Sequence, residues 1–322
     1  MRAVVFAGHG GNEVVRLEQR RDPVPSAHEV LVATRFAGIN WADVAQRMGN
    51  YPPPPGAPAD IAGLEVAGEV AAVGPGVLGW QAGDRVFGLV GGGGLADRVL
   101  AYERHLAAVP ASLKDDVAAA VPEAYITAHD AVFTRGGLAL GEVLLVNGAN
   151  GAVGSAGVQL GLAAGARVVA SVRSPDSARA LAEAGALVVT PETAAEQLAA
   201  LGGASVVLEL IGAPNLDLDF RALASRGRIV VVGSDAGADA AVSLRRLMGL
   251  RASLHGTVLR ARPTEEKGMA VQSFARSVVP LLATGRVTMA IDRVFPAAEV
   301  TAAFDYLARP GKFGKILLDF AS

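Results

Sequence analysis

Two hydrophobic patterns divide the chain. Up to about residue 110, short β-rich runs such as "AVVF", "EVLVATRF", "EVAGEVAAVG" and "DRVFGLV" are cut by Gly and Pro, the punctuation of strands joined by turns. This half reads as a β-barrel or rolled sheet. From about residue 140, continuous apolar runs ("VLLVNG", "RVVASV", "LVVT", "SVVLEL", "RIVVVG") alternate with alanine-rich helical stretches over 153–165, 175–184, 193–201 and 214–224. Apolar strands separated by helices predict a parallel sheet covered on both faces, because each βαβ crossover lays a helix on one face. The expected fold class is α/β, with a doubly wound parallel sheet beside a β-rich domain. A helix-patterned stretch at 264–283, then "IDRVFP", the helical "AAEVTAAFDYLA" and the strand-like "GKILLDF" close the chain. The last strand is expected to return to the N-terminal sheet. That makes the first domain discontinuous, 1–121 with 258–322 around 122–257.

Composition narrows the partners. A chain of 322 residues, 51% apolar and 19% charged, is long enough for two packed cores. A net charge of −2, without basic runs or acidic tails, gives no long-range attraction for nucleic acid or anionic lipid, so neither is expected as a partner. No stretch approaches the roughly 20 apolar residues of a membrane span, and "MRAVVFAGHGG" is too soon broken by glycine for a signal peptide. The expected location is cytoplasmic. Zero cysteines exclude disulfides, a thiolate nucleophile and cysteine-ligated zinc, and His9, His28, His105, His129 and His255 lack paired ligand spacing, so no metal site is expected. "GGGG" at 91–94 reads as a flexible loop.

The strongest motif follows the strand at 143–146: "NGANGAVGSAGVQLG". Glycines after a strand and before a helix permit a tight turn and let a pyrophosphate approach backbone N–H groups at the helix N-terminus, where the helix dipole favours anions. Candidate cofactor residues here are Asn147, Gly148, Gly151, Ala152 and Val153. An NAD enzyme places Asp or Glu at the end of the next strand for the ribose 2′-OH. This chain has Val172, Arg173 and Ser174 there, with Arg179 further on. A 2′-phosphate rewards such donors and repels a carboxylate, so NADPH is preferred, the alternative being that both arginines are merely solvated. Further strand ends expected at the cofactor are Leu210–Gly212 and Val232–Ser234, including Leu210, Gly212 and Gly233; ordinary strand termination would look the same.

One stretch of the first half combines polar residues with a stiff segment. "AGINWADVAQRMGNYPPPPG" holds Asn40, Asp43, Arg47 and Tyr51 just before four prolines, which lack the N–H for helix or central strand and must form an extended edge or loop. Such a loop can line a pocket or serve as a surface linker.

These segments, with "GLEVAGEVAAVGPGV", "VPEAYITAHDAVF", "HGTVLRARPTEEK" and "GKFGKILL", resemble the zinc-independent quinone oxidoreductases, the zeta-crystallin-like branch of the medium-chain dehydrogenase/reductase superfamily. The resemblance implies a discontinuous GroES-like catalytic domain around a Rossmann domain, NADPH as cofactor and a homodimer. In zinc-dependent relatives a Cys stands at Asn40 and a His at Leu64, and the structural-zinc cysteine loop is missing here. Without a Lewis acid, alkoxide chemistry is disfavoured. Hydride delivery to a quinone or enone makes a delocalised anion that a few hydrogen-bond donors can stabilise. The candidate donors are Tyr51, Asn40 and the cofactor's own ribose hydroxyls, and the resemblance assigns Asn40, Asp43, Arg47 and Tyr51 to the pocket. Tyr51, with an ordinary phenol pKa near 10, can also supply the proton, and Asp43 either lines the pocket, orients Arg47 or caps the helix. Thr127 falls beside the nicotinamide, and Gly256 to Leu259 closes over that end. Three positions depart from the family: Ala152 replaces a glycine, Thr190 a tyrosine near the adenosine, and Leu95 an aromatic.

The expected activity is therefore NADPH-dependent reduction of a small-molecule quinone or enone. The alternatives are an enoyl-thioester reductase and a non-catalytic NADPH-binding sensor or structural protein. A short-chain dehydrogenase is disfavoured because none of Tyr51, Tyr102, Tyr125 or Tyr306 has lysine four residues later.

Overall fold

The computed structural model of the protein describes residues 1–173, 178–234 and 236–321. The chain divides into two compact units, Met1–Ile126 with Leu259–Ser322, and Thr127–Val258. The first opens with β1 (Arg2–Phe6), β2 (Val15–Gln19), β3 (Glu29–Ala33), β4 (Phe36–Ile39), α1 (Trp41–Arg47), β5 (Glu65–Val73), β6 (Arg85–Leu89), β7 (Arg98–Tyr102) and β8 (Leu106–Ala108), followed by α2 (Asp115–Ala120) and α3 (Pro122–His129). β7-β3-β5-β6-β8 form an antiparallel sheet open at β7 and β8, and β1-β2 a two-stranded ribbon. The run "EVLVATRF" is two strands, not one. Thr34 donates its N–H to the Asp97 carbonyl (3.1 Å), and after Arg35 the chain leaves the five-stranded sheet as β4.

The second unit alternates β9 (Val143–Asn147), α4 (Ala152–Ala163), β10 (Arg167–Ser171), α5 (Arg179–Glu183), β11 (Leu187–Val189), α6 (Pro191–Ala199), β12 (Ala204–Glu209), α7 (Leu216–Ala222), β13 (Leu223–Val231), α8 (Leu244–Leu250) and β14 (Ser253–Gly256). The six strands are parallel in the order β11-β10-β9-β12-β13-β14, the doubly wound plan. β9 is buried along its whole length, as a strand covered on both faces must be. A boundary differs from the sequence reading: the helix expected over 214–224 ends at Ala222, where Leu223 turns extended and starts β13. The start of the helix expected over 175–184 lies outside the described residues, and α5 covers Arg179–Glu183 of it.

The chain then returns to the first unit as α9 (Thr264–Ser277), α10 (Val279–Ala283), β15 (Ile291–Pro296), α11 (Val300–Leu307) and β16 (Lys315–Asp319). The single helix expected over 264–283 is broken at Val278, just before Pro280, whose ring cannot sit in a helix interior. β16 pairs parallel with β15 and antiparallel with β4, Ile316 facing Ile39, so the last strand does join the N-terminal half. Val4, Phe6, Ile39, Leu95, Phe304, Leu318 and Phe320 share the core beneath it. Leu95 thus fills a buried position of this core.

The glycine run 91–94 is not a flexible loop. Gly93, Gly94 and Leu95 donate their N–H groups to the carbonyls of Ile61, Gly63 and Ala62 (2.8, 3.2 and 2.9 Å). At Gly94 the backbones approach closely enough that a Cβ would strike the Glu65 carbonyl oxygen.

Candidate functional site

α1 begins at the polar stretch that the sequence singles out. Asn40 is its N-cap, and its N–H donates to Asp43 Oδ2 (2.8 Å). The other carboxylate oxygen, Asp43 Oδ1, accepts the Gly63 N–H (2.9 Å). Burial pushes the Asp43 carboxyl up to about 6 against these two backbone donors. Both oxygens are spent on backbone, so Asp43 caps the helix and pins the Gly63 turn rather than orienting Arg47. Arg47 is held elsewhere. Its Nε donates to the Gly10 carbonyl (3.2 Å), its Nη1 to Asn12 Oδ1, and the guanidinium lies 5.4 Å from the centre of the Phe304 ring.

Asn40 is fixed by two charged residues absent from the sequence-derived set. Lys315 Nζ sits 2.5 Å from Asn40 Oδ1 and 2.6 Å from Glu65 Oε1, while Asn40 Nδ2 donates to the same Glu65 oxygen (3.0 Å). The second carboxylate oxygen, Glu65 Oε2, accepts the Glu123 N–H (3.0 Å). The Lys315 and Glu65 side chains are only 2% and 1% exposed, so the pair is desolvated and each charge depends on the other. The available sequence signal is a charge inside an apolar strand run, in "GLEVAG" and "GKILL".

Tyr51 is placed by a third charged residue that the sequence reading passes over. Arg260, 5% exposed, donates from Nε to the Gly91 carbonyl (2.8 Å), from Nη1 to the Tyr51 carbonyl (2.8 Å) and from Nη2 to Gln46 Oε1. Its guanidinium lies 4.8 Å from the centre of the Tyr51 ring. Lys267 Nζ donates to the Arg260 carbonyl (2.9 Å), so two buried cations stand behind the tyrosine. Burial pushes the Tyr51 phenol up to about 12, with Glu123 adding to the shift and Arg260 opposing it. The phenol is therefore a more reluctant acid than the ordinary value suggests, and fully protonated at neutral pH. The prolines behind it form a loop, and a Cβ built on Gly91 would come within 2.9 Å of Pro54 Cγ.

In the second unit the glycine-rich turn joins β9 to α4. Gly148 has φ +73°, a left-handed conformation that side chains disfavour, and Gly151 is the N-cap of α4, with Ala152 and Val153 in its first turn. Gly154 is required by contact, because a Cβ there would strike the Gly148 carbonyl. The first-turn N–H groups have no intrahelical acceptor, which suits a pyrophosphate. Asn147 is buried and turned inward, its Nδ2 donating to Glu209 Oε2 and Asp219 Oδ1 (2.6 Å each), so its side chain braces the turn.

The remaining candidates separate by exposure. Arg173 follows β10 and is exposed; Arg179, 87% exposed, pairs with Glu183 one turn on (2.7 Å); Ser174 lies outside the described residues. Thr127 is buried in α3, Leu210 follows β12, Gly233 follows β13, and Gly256 ends β14. Gly212 donates its N–H to Glu209 Oε1. Thr190 is the N-cap of α6 and its N–H donates to Thr193 Oγ1 (3.1 Å), which gives that departure a structural role.

Comparison with known proteins places this architecture. Residues 26–111 match the alcohol dehydrogenase GroES-like domain and residues 152–276 the zinc-binding dehydrogenase domain. The quinone oxidoreductase of Lama guanicoe is 30% identical over 99% of this chain and 97% of its own length. The spectinabilin polyketide synthase system protein NorB of Streptomyces orinoci is 33% identical over 90% of this chain, which corresponds to 13% of that protein. A mycobacterial protein solved in complex with NADPH superposes with a TM-score of 0.88, at 27% identity and 99% coverage of both chains. The chain belongs to the medium-chain dehydrogenase/reductase superfamily and, within it, to the quinone oxidoreductase family. It is an oxidoreductase that takes a nicotinamide cofactor and a small-molecule substrate.

Proposed function

We propose that the protein transfers hydride from NADPH to quinones or other α,β-unsaturated carbonyl compounds without zinc. The observation that carries this reading is the buried Asn40–Glu65–Lys315 network. A divalent cation needs free anionic or imidazole donors, and this locus offers the apolar Leu64, an Asn40 oxygen already held by Lys315, and one carboxylate, Glu65, whose oxygens are taken by Lys315, Asn40 and the Glu123 N–H, beside an ammonium that repels a second cation. Zinc does not fit this donor set. The substrates that remain are those whose reduction makes a delocalised anion.

NADPH, when bound, supplies the hydride. The α4 N-terminus and the Gly148–Val153 turn would hold its pyrophosphate, and Arg173 and Arg179 its 2′-phosphate. The Arg179–Glu183 pair is exposed, worth about 0.3–0.5 kcal/mol, and easily exchanged for a phosphate. In the first unit Tyr51 keeps its proton at neutral pH and donates it to the enolate or phenolate oxygen, while the Asn40 amide and the Arg260 cation behind the Tyr51 ring stabilise that anion. Asp43 and Arg47 shape the pocket through α1. A homodimer in the cytoplasm accompanies this reading; sedimentation reads the assembly.

The test is an NADPH-oxidation screen with 1,4-benzoquinone, 1,2-naphthoquinone, crotonyl-CoA and simple enones, repeated with NADH and with a chelator. Turnover of quinones or enones with NADPH, insensitive to the chelator and slowed by Tyr51→Phe, is expected. Equal use of NADH would remove the role given to Arg173 and Arg179. The match to part of a polyketide synthase system protein favours a second reading, an enoyl-thioester reductase, which preferential turnover of crotonyl-CoA would establish. Tight NADPH binding without turnover on any acceptor would indicate a sensor or structural protein.

A further inference from the structure

The strand order of the second unit reverses between β9 and β12, and both strands end there on buried polar side chains, Asn147 and Glu209. Glu209 Oε1 accepts the N–H groups of Ile211 (2.5 Å) and Gly212 (2.7 Å), while Oε2 accepts Nδ2 of Asn147 (2.6 Å) and of Asn215 (3.4 Å). Asn147 Nδ2 also donates to Oδ1 of Asp219 on α7 (2.6 Å), and Asp219 Oδ2 is buried with no hydrogen-bond partner among the described residues. Glu209 and Asp219 are 0% and 1% exposed. A cavity of about 10 Å³ beside Asp219 is lined otherwise by Leu145, Pro191, Ala194, Leu218 and Ala222, with only the amides of Asn147 and Asn215 polar. The other charges on α7, Asp217 and Arg221, are exposed and pair with each other, and those on α6, which packs against α7, are Glu192 and Glu196, both exposed.

Two carboxylates sharing one amide nitrogen in so dry a place cannot both be ionised. Four N–H donors favour the charge on Glu209. Burial and that neighbouring charge push the Asp219 carboxyl up to about 9, so Asp219 keeps the proton. The two turns held in this way touch, since a Cβ on Gly148 would come within 2.9 Å of Ile211 Cδ1.

We propose that Glu209 and Asp219, carrying one negative charge between them, are positioning residues for the cofactor. Glu209 ties the turn after β12 to the turn after β9, and protonated Asp219 keeps Asn147 against it, so that the Gly148–Val153 backbone stays shaped for a pyrophosphate. The inference rests on the assignment of that turn to the nicotinamide cofactor and adds to it the groups that keep the turn in place.

The test measures NADPH affinity by fluorescence titration, beside thermal melting, in cofactor-free wild type, Glu209→Ala, Glu209→Gln and Asp219→Asn. Asn at 219 preserves an N–H where the proton sits and an acceptor for Asn147, so its affinity stays within about threefold of wild type, whereas Glu209→Ala loses about tenfold or more. Wild-type affinity falls as pH rises above about 9, when the second charge appears, and Asp219→Asn does not follow. If Glu209→Ala does not fold, Glu209→Gln takes its place and must lose more affinity than Asp219→Asn. Folded Glu209 variants that bind NADPH like wild type, or an Asp219→Asn loss matching theirs, overturn the inference alone. A wild-type protein that takes up no nicotinamide nucleotide overturns the cofactor assignment together with it.

Discussion

Replacing Lys315 by Met tests the network beneath Asn40. Methionine fills most of the volume but leaves the Glu65 carboxylate, 1% exposed, without its counter-charge; it retains only the Asn40 amide and the Glu123 N–H. Removing one partner of a buried ion pair typically costs about 3–5 kcal/mol, because the remaining charge is neither solvated nor paired. The whole margin of a folded protein is about 5–15 kcal/mol, so Lys315→Met is expected to remain folded near room temperature with a much lowered unfolding midpoint. Adding Glu65→Gln should restore about half or more of the loss, since a neutral amide still accepts the Glu123 N–H and donates to Asn40 Oδ1. Urea unfolding followed by fluorescence and circular dichroism of wild type, both single variants and the double variant measures the coupling. A double variant as unstable as Lys315→Met would refute the argument, because the cost would then come from packing rather than from a stranded charge.

Three further outcomes follow from the same geometry. Arg260→Gln withdraws donors from the Tyr51 and Gly91 carbonyls and the cation from the Tyr51 ring; steady-state kinetics should show kcat lowered by about 10- to 100-fold at unchanged cofactor affinity. His105 is buried, its Nε2 donating to the Thr264 carbonyl, and burial lowers it to about 4, so the folded state keeps it neutral while the unfolded chain protonates near 6.5. It contributes stability that is present above pH 6.5 and lost as pH falls towards 4, about 3 kcal/mol in all; melting curves of His105→Gln should be flatter across that window than those of wild type. Gly154→Val drives a side chain into the Gly148 carbonyl and should cost about 1–3 kcal/mol while weakening NADPH binding, read by thermal melting and fluorescence titration.

What the sequence determined by itself is what short-range chemistry controls. Continuous apolar runs between alanine-rich stretches specify buried parallel strands and their helices, and "NGANGAVG" specifies a strand–turn–helix junction, because φ of Gly148 and the start of α4 depend on residues within a few positions of one another. "GKILLDF" carries enough strand character for its return to the first half to be expected. Pairings across long separations were decided only by the tertiary structure. Arg260 meets the Tyr51 carbonyl 209 residues away, Lys315 meets Asn40 at a separation of 275, and Glu209 meets Asn147 at 62. Asn40, Asp43, Arg47 and Tyr51 look alike as neighbours on a polar stretch, yet the fold gives each a different partner: a buried ammonium, a backbone turn, an aromatic ring and a guanidinium. The physical reason is desolvation. A charge or phenol takes its chemical character from the groups that replace water around it, and those groups are brought in by other elements of the fold.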